Sequence, residues 1–356
     1  MKNTLKEVWH QFNLEVESAP YGNGHINETY YVESQPSTIM QRINTNIFKH
    51  PDQVMQNIVS VTEHLRKKII ASGGNPMRET LTVIPTHDGK PFYQDENGNA
   101  YRMYYFIKDA KSFDKAETPE MFAASAHAFG KFQRMLADFP AHTLYETIPN
   151  FHDTGDRLRQ FREALENNVA GRADSVREEI DFVLSRASYV TRITDAIAEG
   201  TVPLRVTHND TKLNNVMLDE VTHEPVCVID LDTVMPGSLL YDYGDSLRFG
   251  ASTGAEDETD LSKIEFDLTY FEAYTKAFME ELGDTLTAKE RELLPFSALL
   301  MTFECGMRFL ADHLNGDTYF RIHRPNHNLD RCRTQFKLVA DMEKKMDEMA
   351  AIVAKY

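Results

Sequence analysis

The chain has 356 residues, 42% hydrophobic and 26% charged, which is enough for two hydrophobic cores. Its 38 basic and 55 acidic residues leave a net charge of -17. That argues against a nucleic-acid binder relying on a broad basic surface, so a phosphate-bearing ligand must be held by local cations, backbone N–H groups or a metal.

Three scattered cysteines, Cys227, Cys305 and Cys332, form no CxxC pair, which speaks against structural zinc and fits a reducing cytoplasm. The opening MKNTLKEVWHQFNLEVES lacks the long apolar run of a signal peptide. INETYYVES and STIMQRI are strand-like, with a Pro-Ser break between them. HPDQVMQNIVSVTEHLRKKIIASGG predicts a helix, with Pro51 at its first position, Val54, Ile58, Val61 and Leu65 along one stripe, and Gly73-Gly74 ending it. TLTVIP, KPFYQ and AYRMYYFI then predict strands joined by the turns THDG and DENGN, so this region is an antiparallel meander with a helix inserted.

After Lys108 the period becomes helical. Phe122, Ala126, Phe129, Gln133 and Leu136 mark one helix, Val176 to Val190 another, and Phe271, Tyr274, Phe278 and Leu282 a third. Thr287 and Glu290 form a capping-box pattern before a long apolar helix. That helix contains LLPFSALLMTFECGMRFL, whose Glu304 and Arg308 mark it as a buried helix rather than a membrane span. A charged amphipathic helix closes the chain. The fold class is therefore α+β: a small antiparallel β-rich domain with one helix over residues 1–107, and a larger, mainly helical domain over 108–356.

The second domain has one strand-like region, VTHNDTKLNNVMLD followed by EPVCVID. A hairpin of VMLD and EPVCVID brings Asn215 close to Asp230, with Asp210 in the loop leading in. Asn and Asp offer oxygen ligands to a hard divalent cation without closing its coordination sphere, which leaves room for substrate phosphates. A carboxylate five residues before the Asn faces the same space and suits a base that accepts a hydroxyl proton. Asp232 reads either as a supporting partner or as a helix-entry residue, and Asp242 and Asp245 as caps or supporting groups.

HNDTKLNN followed by VIDLDT has the HxDxxxxN spacing and the later metal-binding Asp of kinases. It resembles the aminoglycoside phosphotransferase and choline kinase superfamily, which implies a protein-kinase-like two-lobed fold, ATP and Mg2+. Within that superfamily YGNGHINETYYV, IMQRIN, HPDQVMQNI, THNDTKLNNVMLD and IDLDTVMPG resemble the N-acetylhexosamine 1-kinases, which phosphorylate the anomeric hydroxyl of N-acetylglucosamine or N-acetylgalactosamine. The resemblance implies Asp210 as base, Lys212 as a phosphate neighbour, and Asn215 and Asp230 as magnesium ligands. It makes Gly22 and Gly24 a phosphate-covering turn and His25, Arg308 and Tyr319 sugar contacts. Tyr105, Phe106 and Ile107, at the end of the first domain, would offer backbone groups to adenine. The third-strand lysine of kinase-like lobes is missing from IMQRIN, where either Gln41 or Arg42 takes the position and Arg42 could supply the charge.

The partners expected are thus a small sugar substrate and ATP, with no nucleic acid and no membrane; a monomer is the default. The alternatives are a kinase for choline, homoserine or an aminoglycoside, a metal-dependent hydrolase using HxD and DxD as ligands, and a non-catalytic binding module.

Overall fold

The computed structural model describes residues 2–14, 18–21 and 27–356. Its contacts divide the chain into two compact units, residues 1–112, 135–149 and 215–236 in one, and 113–134, 150–214 and 237–356 in the other.

The first unit is built on an antiparallel sheet of β1 (Ser18–Pro20), β2 (Glu28–Val32), β3 (Thr38–Ile43), β4 (Tyr93–Gln94) and β5 (Ala100–Tyr105), in the order β1-β2-β3-β5-β4. Glu28 pairs with Arg42 across β2 and β3, and Gln41 with Arg102 across β3 and β5. A helix precedes the sheet that the sequence pattern did not suggest, α1 (Lys2–Gln11). Its Val8 and Trp9, with Phe12 just beyond, are buried against Val32, Met40, Tyr101 and Met103. An isolated helix of that length is marginal in water. Burial of three large apolar side chains, each worth roughly 1.5–3 kcal/mol, is what stabilises it here. The predicted inserted helix is α2 (Pro51–Ala71), with Pro51 in its first turn and Val54, Ile58, Val61 and Leu65 buried.

TLTVIP does not form a full strand. It makes a single bridge, Val83 to Tyr104, and two flanking backbone bonds, Ile84 N to Met103 O and Tyr105 N to Thr82 O, before Pro85 removes the next donor. A one-turn helix, α3 (Pro76–Glu79), precedes it.

The remaining strands in chain order are β6 (Ala110–Lys111), β7 (Arg205–Thr207), β8 (Val216–Asp219), β9 (Pro225–Val228) and β10 (Met235–Gly237). β8 and β9 form the expected hairpin, with Val216 opposite Val228. Ala110 and Lys111 of β6 pair with Asp219 and Leu218, making a three-stranded sheet. This pairing is why residues 215–236 cluster with the first unit, whereas a single cut after residue 107 assigns them to the second.

The second unit holds α4 (Pro119–Met135), α5 (Thr154–Asn167), α6 (Arg177–Ser185), α7 (Arg192–Ala198), α8 (Leu239–Gly250), α9 (Leu268–Leu282), α10 (Ala288–Leu314) and α11 (His327–Val353). α10 is long and apolar enough to cross a membrane, but most of it is buried, as Glu304 and Arg308 within its apolar run suggested. The Thr287–Glu290 capping box is formed in both directions. α10 packs on α5, α8 and α11. Its approach to α8 is close because position 244 is Gly: a Cβ there would lie 2.4 Å from the Ser297 carbonyl oxygen and 2.6 Å from Met301 Cγ. The architecture is the kinase-like one expected, a small antiparallel-sheet lobe and a larger helical lobe.

Candidate active site

The loop after β7 is held from below by α8. The Asp242 carboxylate, in the first turn of α8, accepts from the backbone N–H groups of His208 at 2.9 Å and Asn209 at 2.8 Å, and from Gln133 Nε2 at 2.6 Å. Burial raises the Asp242 pKa, and His208 and these donors offset only part of that. One turn on, Asp245 accepts from Thr211 N at 3.2 Å, while Thr211 Oγ1 donates to the Asp242 carbonyl at 2.6 Å. Asp210 is therefore pinned on both sides. Its own N–H donates to His208 Nδ1 at 3.3 Å, and the buried His208 ring stands edge-on to Phe129 and Phe132. His208 is a scaffold residue.

Asp210 and Lys212 are partly exposed, at 26% and 37%, and Lys212 Nζ lies 2.9 Å from Asp210 Oδ1. Asp210 raises the Lys212 pKa, which burial alone would lower. Burial works to raise the Asp245 carboxyl, but Arg248, 3.0 Å away, and Lys212 outweigh it and hold it below the usual range.

A second support enters from α5 and α10. Glu304 is fully buried; its Oε1 lies 2.9 Å from His152 Nδ1, and its Oε2 accepts from Thr154 Oγ1 at 2.6 Å. His152 Nε2 lies 3.2 Å from the carbonyl oxygen of Asn209, which itself adopts a left-handed φ of 67°. Glu304 and Arg308, four residues apart on one helix, would be read as a simple ion pair. Instead Glu304 is taken up by His152 and Thr154, and Arg308 lies 5.8, 6.0 and 5.5 Å from the rings of Phe151, Tyr319 and Phe320. Among the described residues Arg308 makes no ion pair. Burial and Arg308 both depress the Arg157 pKa, so two guanidinium groups face one neighbourhood. Tyr319 is 67% exposed and is held by its N–H, which donates to Asp312 Oδ1 at 2.8 Å. A cavity of about 470 Å³ also opens in this unit, bordered by Leu213 of the loop and by Ser246, Arg248 and Glu256; Arg308 and Tyr319 do not line it.

In the first unit, the hairpin returns Asp230 to Asn215 as its spacing required. Ile229 N donates to the Asn215 carbonyl at 2.9 Å, so the two side chains follow neighbouring backbone positions. Asn215 is buried, and Asp230 turns the chain with φ 59° into a short 3-10 turn, Leu231–Thr233. An amide oxygen and a carboxylate are a fitting donor pair for magnesium that also carries phosphate and water. Among the described residues no group of three or more His, Cys, Asp or Glu is arranged to hold a metal, so the histidine-rich centre of a hydrolase finds no support.

On the nucleotide side, alternation puts Gln41 and Arg42 on opposite faces. Arg42 is directed to the outside, paired with Glu28 at 2.9 Å and Asn99 at 2.6 Å, and does not supply an inward charge. The inward cation comes instead from Arg102 on β5, which the sequence reading missed. Its Nε and Nη2 donate to Gln41 Oε1 at 3.0 and 2.8 Å, and its Nη1 donates to Asp232, the second acid of DLD. The signal was there in AYRMYYFI: one arginine in an otherwise apolar strand is buried only with a partner. On α2, Glu63 lies at the surface, 3.8 Å from Arg66. Of the adenine candidates, Phe106 N donates to Ser37 O and Tyr105 N to Thr82 O. Those donors are used, while Ile107 makes no such bond among the described residues. Gly22, Gly24 and His25 lie outside the described residues.

This combination of a β-rich lobe, a helical lobe and an HxDxKxxN loop followed by a hairpin ending in Asp defines a two-lobed phosphotransferase. The chain belongs to the phosphotransferase enzyme family typified by aminoglycoside kinases, whose profile matches residues 17–283. It is thus an ATP-dependent small-molecule kinase that transfers phosphate to a hydroxyl acceptor. Similar solved structures include a choline kinase from Cryptosporidium parvum (TM-score 0.61, 12% identity, covering 100% of this chain and 99% of that one). A microcompartment-associated aminopropanol kinase is similar with a TM-score of 0.60 and 13% identity, covering 98% of this chain and 99% of that one. An aminoglycoside phosphotransferase from Alicyclobacillus acidocaldarius has the same score and identity, covering 98% and 95%.

Proposed function

We propose that the chain phosphorylates the C1 hydroxyl of an N-acetylhexosamine, N-acetylglucosamine or N-acetylgalactosamine, giving the sugar 1-phosphate and ADP. In this reading the acceptor oxygen attacks the γ-phosphorus, the bond to the β,γ-bridging oxygen breaks, and the hydroxyl proton passes to Asp210. Lys212 offsets charge on the transferring group. Asn215 and Asp230 hold magnesium, which when bound neutralises charge on the ATP phosphates. Ile107 offers backbone to adenine. Arg308 and Tyr319 meet the sugar, and we place the enzyme in the cytoplasm.

The observation that carries the acceptor assignment is Arg308. It is a half-buried guanidinium beside aromatic rings, and the nearby carboxylate of Glu304 is held by His152 and Thr154. Its neighbour is a second arginine, Arg157. Such a wall repels an ammonium group and suits hydroxyl and acyl oxygens. Phe151, against the Arg308 guanidinium, adjoins His152, whose ring reaches the residue before Asp210, so this wall is tied to the base. A second reading, a kinase for an amine-bearing alcohol, draws on the similarity of the fold to an aminopropanol kinase and a choline kinase.

Steady-state assays with ATP and magnesium over N-acetylhexosamines, hexoses, choline, aminopropanol and homoserine separate the two. N-acetylhexosamines are expected to have the highest kcat/KM, and Arg308→Leu to lower that value by about 10²-fold, a loss of about 3 kcal/mol. Preference for an amine-bearing acceptor, or an Arg308→Leu enzyme with unaltered kcat/KM, would remove the sugar reading.

A further inference from the structure

We propose that Arg102 is a positioning residue for the magnesium-nucleotide end of the reaction: through Asp232 it fixes the turn that presents Asp230, and so takes over the task of the lysine that kinase-like lobes carry on the third strand. This rests on the proposed role of Asp230 as a metal ligand.

Arg102 is 1% exposed, so its guanidinium does not reach a solvent-borne phosphate; whatever it contributes passes through its partners. Those partners are specific. Gln41 Oε1 takes two of its N–H groups, and the Asp232 carboxylate takes a third. The other Asp232 oxygen accepts from Asn27 Nδ2 at 2.6 Å, and Asn27 Oδ1 in turn accepts from Asn44 N at 3.0 Å. Two residues after Asp232 the backbone is held again: Asn57, buried on α2, donates to the Val234 carbonyl at 2.9 Å and to the Tyr145 carbonyl at 2.8 Å. The segment that starts at Asp230 is thereby gripped at Asp232 and Val234 by side chains from β5, from the chain just before β2, and from α2.

Asp230 needs such a grip. Its φ of 59° is a left-handed conformation that non-glycine residues keep only where the surroundings over-determine it. Asn215 constrains the turn from the entering side, through the Ile229 N–H bond, and Asp232 from the leaving side. Arg102 also balances charge: two carboxylates two residues apart would repel across a small turn, and a buried guanidinium bonded to one of them leaves the other to face a cation. A third-strand lysine would do this by touching phosphate directly. Here the third strand contributes a neutral Gln41, which orients the arginine rather than replacing it.

The test uses the full chain and a non-hydrolysable ATP analogue with a β,γ-imido bridge, titrated calorimetrically with and without magnesium and in the absence of any acceptor. Four variants are compared: Arg102→Met, Arg102→Lys, Asp232→Asn, and the double variant Arg102→Met/Asp232→Asn, in which neither charge is left buried alone. Arg102→Met is expected to weaken magnesium-dependent binding by at least about tenfold, as loss of groups behind a metal ligand does, while binding in EDTA moves less than about twofold. Arg102→Lys recovers part of the loss. The double variant regains thermal stability relative to Arg102→Met but not magnesium-dependent affinity. Recovery of wild-type magnesium-dependent affinity by the folded double variant overturns the proposal, as do equal losses with and without magnesium. Magnesium-independent binding by the wild type overturns it too, together with the metal reading. No acceptor takes part, so an error in the sugar assignment leaves this result unaffected.

Discussion

Asp210→Asn is expected to lower turnover by about 10³-fold while nucleotide affinity changes less than about twofold and the fold persists. The asymmetry follows from how the loop is built. Position 210 is held by backbone groups, its own N–H to His208 Nδ1 and its neighbours' N–H groups to Asp242 and Asp245, so a neutral isostere leaves the loop in place. What disappears is the acceptor for the hydroxyl proton and the charge facing Lys212 at 2.9 Å. The measurement is a single-turnover assay beside an equilibrium titration of the nucleotide. Retained turnover would remove Asp210 as base; a matched loss of nucleotide binding would mean that the loop had moved.

The second large effect is expected at Glu304, far from Asp210 in sequence. Glu304→Gln keeps the shape and one acceptor but removes the buried negative charge that His152 and Thr154 share, and should cost about 3 kcal/mol of stability at neutral pH. It should also lower kcat, because His152 bridges Glu304 to the carbonyl of Asn209. The pH dependence has a definite sign. Burial pushes the Glu304 carboxyl up, but His152, Arg308 and Thr154 pull harder, so its pKa lies below the ordinary 4.5. A carboxyl depressed in the folded state stabilises fully above its unfolded pKa, and that contribution is lost as pH falls through the folded value. The stability gap between wild type and Glu304→Gln is therefore constant from pH 7 to about 5 and narrows on further acidification. Urea unfolding of both proteins at pH 7 and pH 4 checks this; a gap that widens in acid would contradict it.

Local patterns carried far where the interaction is local. Pro51 and the stripe from Val54 to Leu65 located α2, and the Thr287–Glu290 box located the start of α10, because caps and helical faces are set within a few residues. The return of Asp230 to Asn215 was legible for the same reason, since a short hairpin fixes its own register. Partnerships that depend on packing were not. Strand alternation separates Gln41 from Arg42 but does not say which face is inward; that was decided by the Glu28–Arg42 register on one side and by Arg102, opposite Gln41 on the adjacent strand β5, on the other. Arg102 meets Asp232 at a separation of 130 residues, and His152 meets Glu304 at 152, and nothing in the neighbouring sequence of either pair announces the other. α1 was missed because ten polar-rich residues look helical only once Val8 and Trp9 have a sheet to cover. TLTVIP showed the opposite error: strand composition without a full set of partners.

The position and identity of the phosphorylated group test the central claim most directly. The full chain is incubated with ATP, magnesium and equimolar N-acetylglucosamine, N-acetylgalactosamine, choline and aminopropanol, and the products are read by phosphorus-31 NMR with proton correlation. The account predicts a new phosphomonoester signal coupled to the anomeric proton of an N-acetylhexosamine. A signal coupled instead to the methylene protons of an amino alcohol, or to a sugar position other than C1, would contradict it.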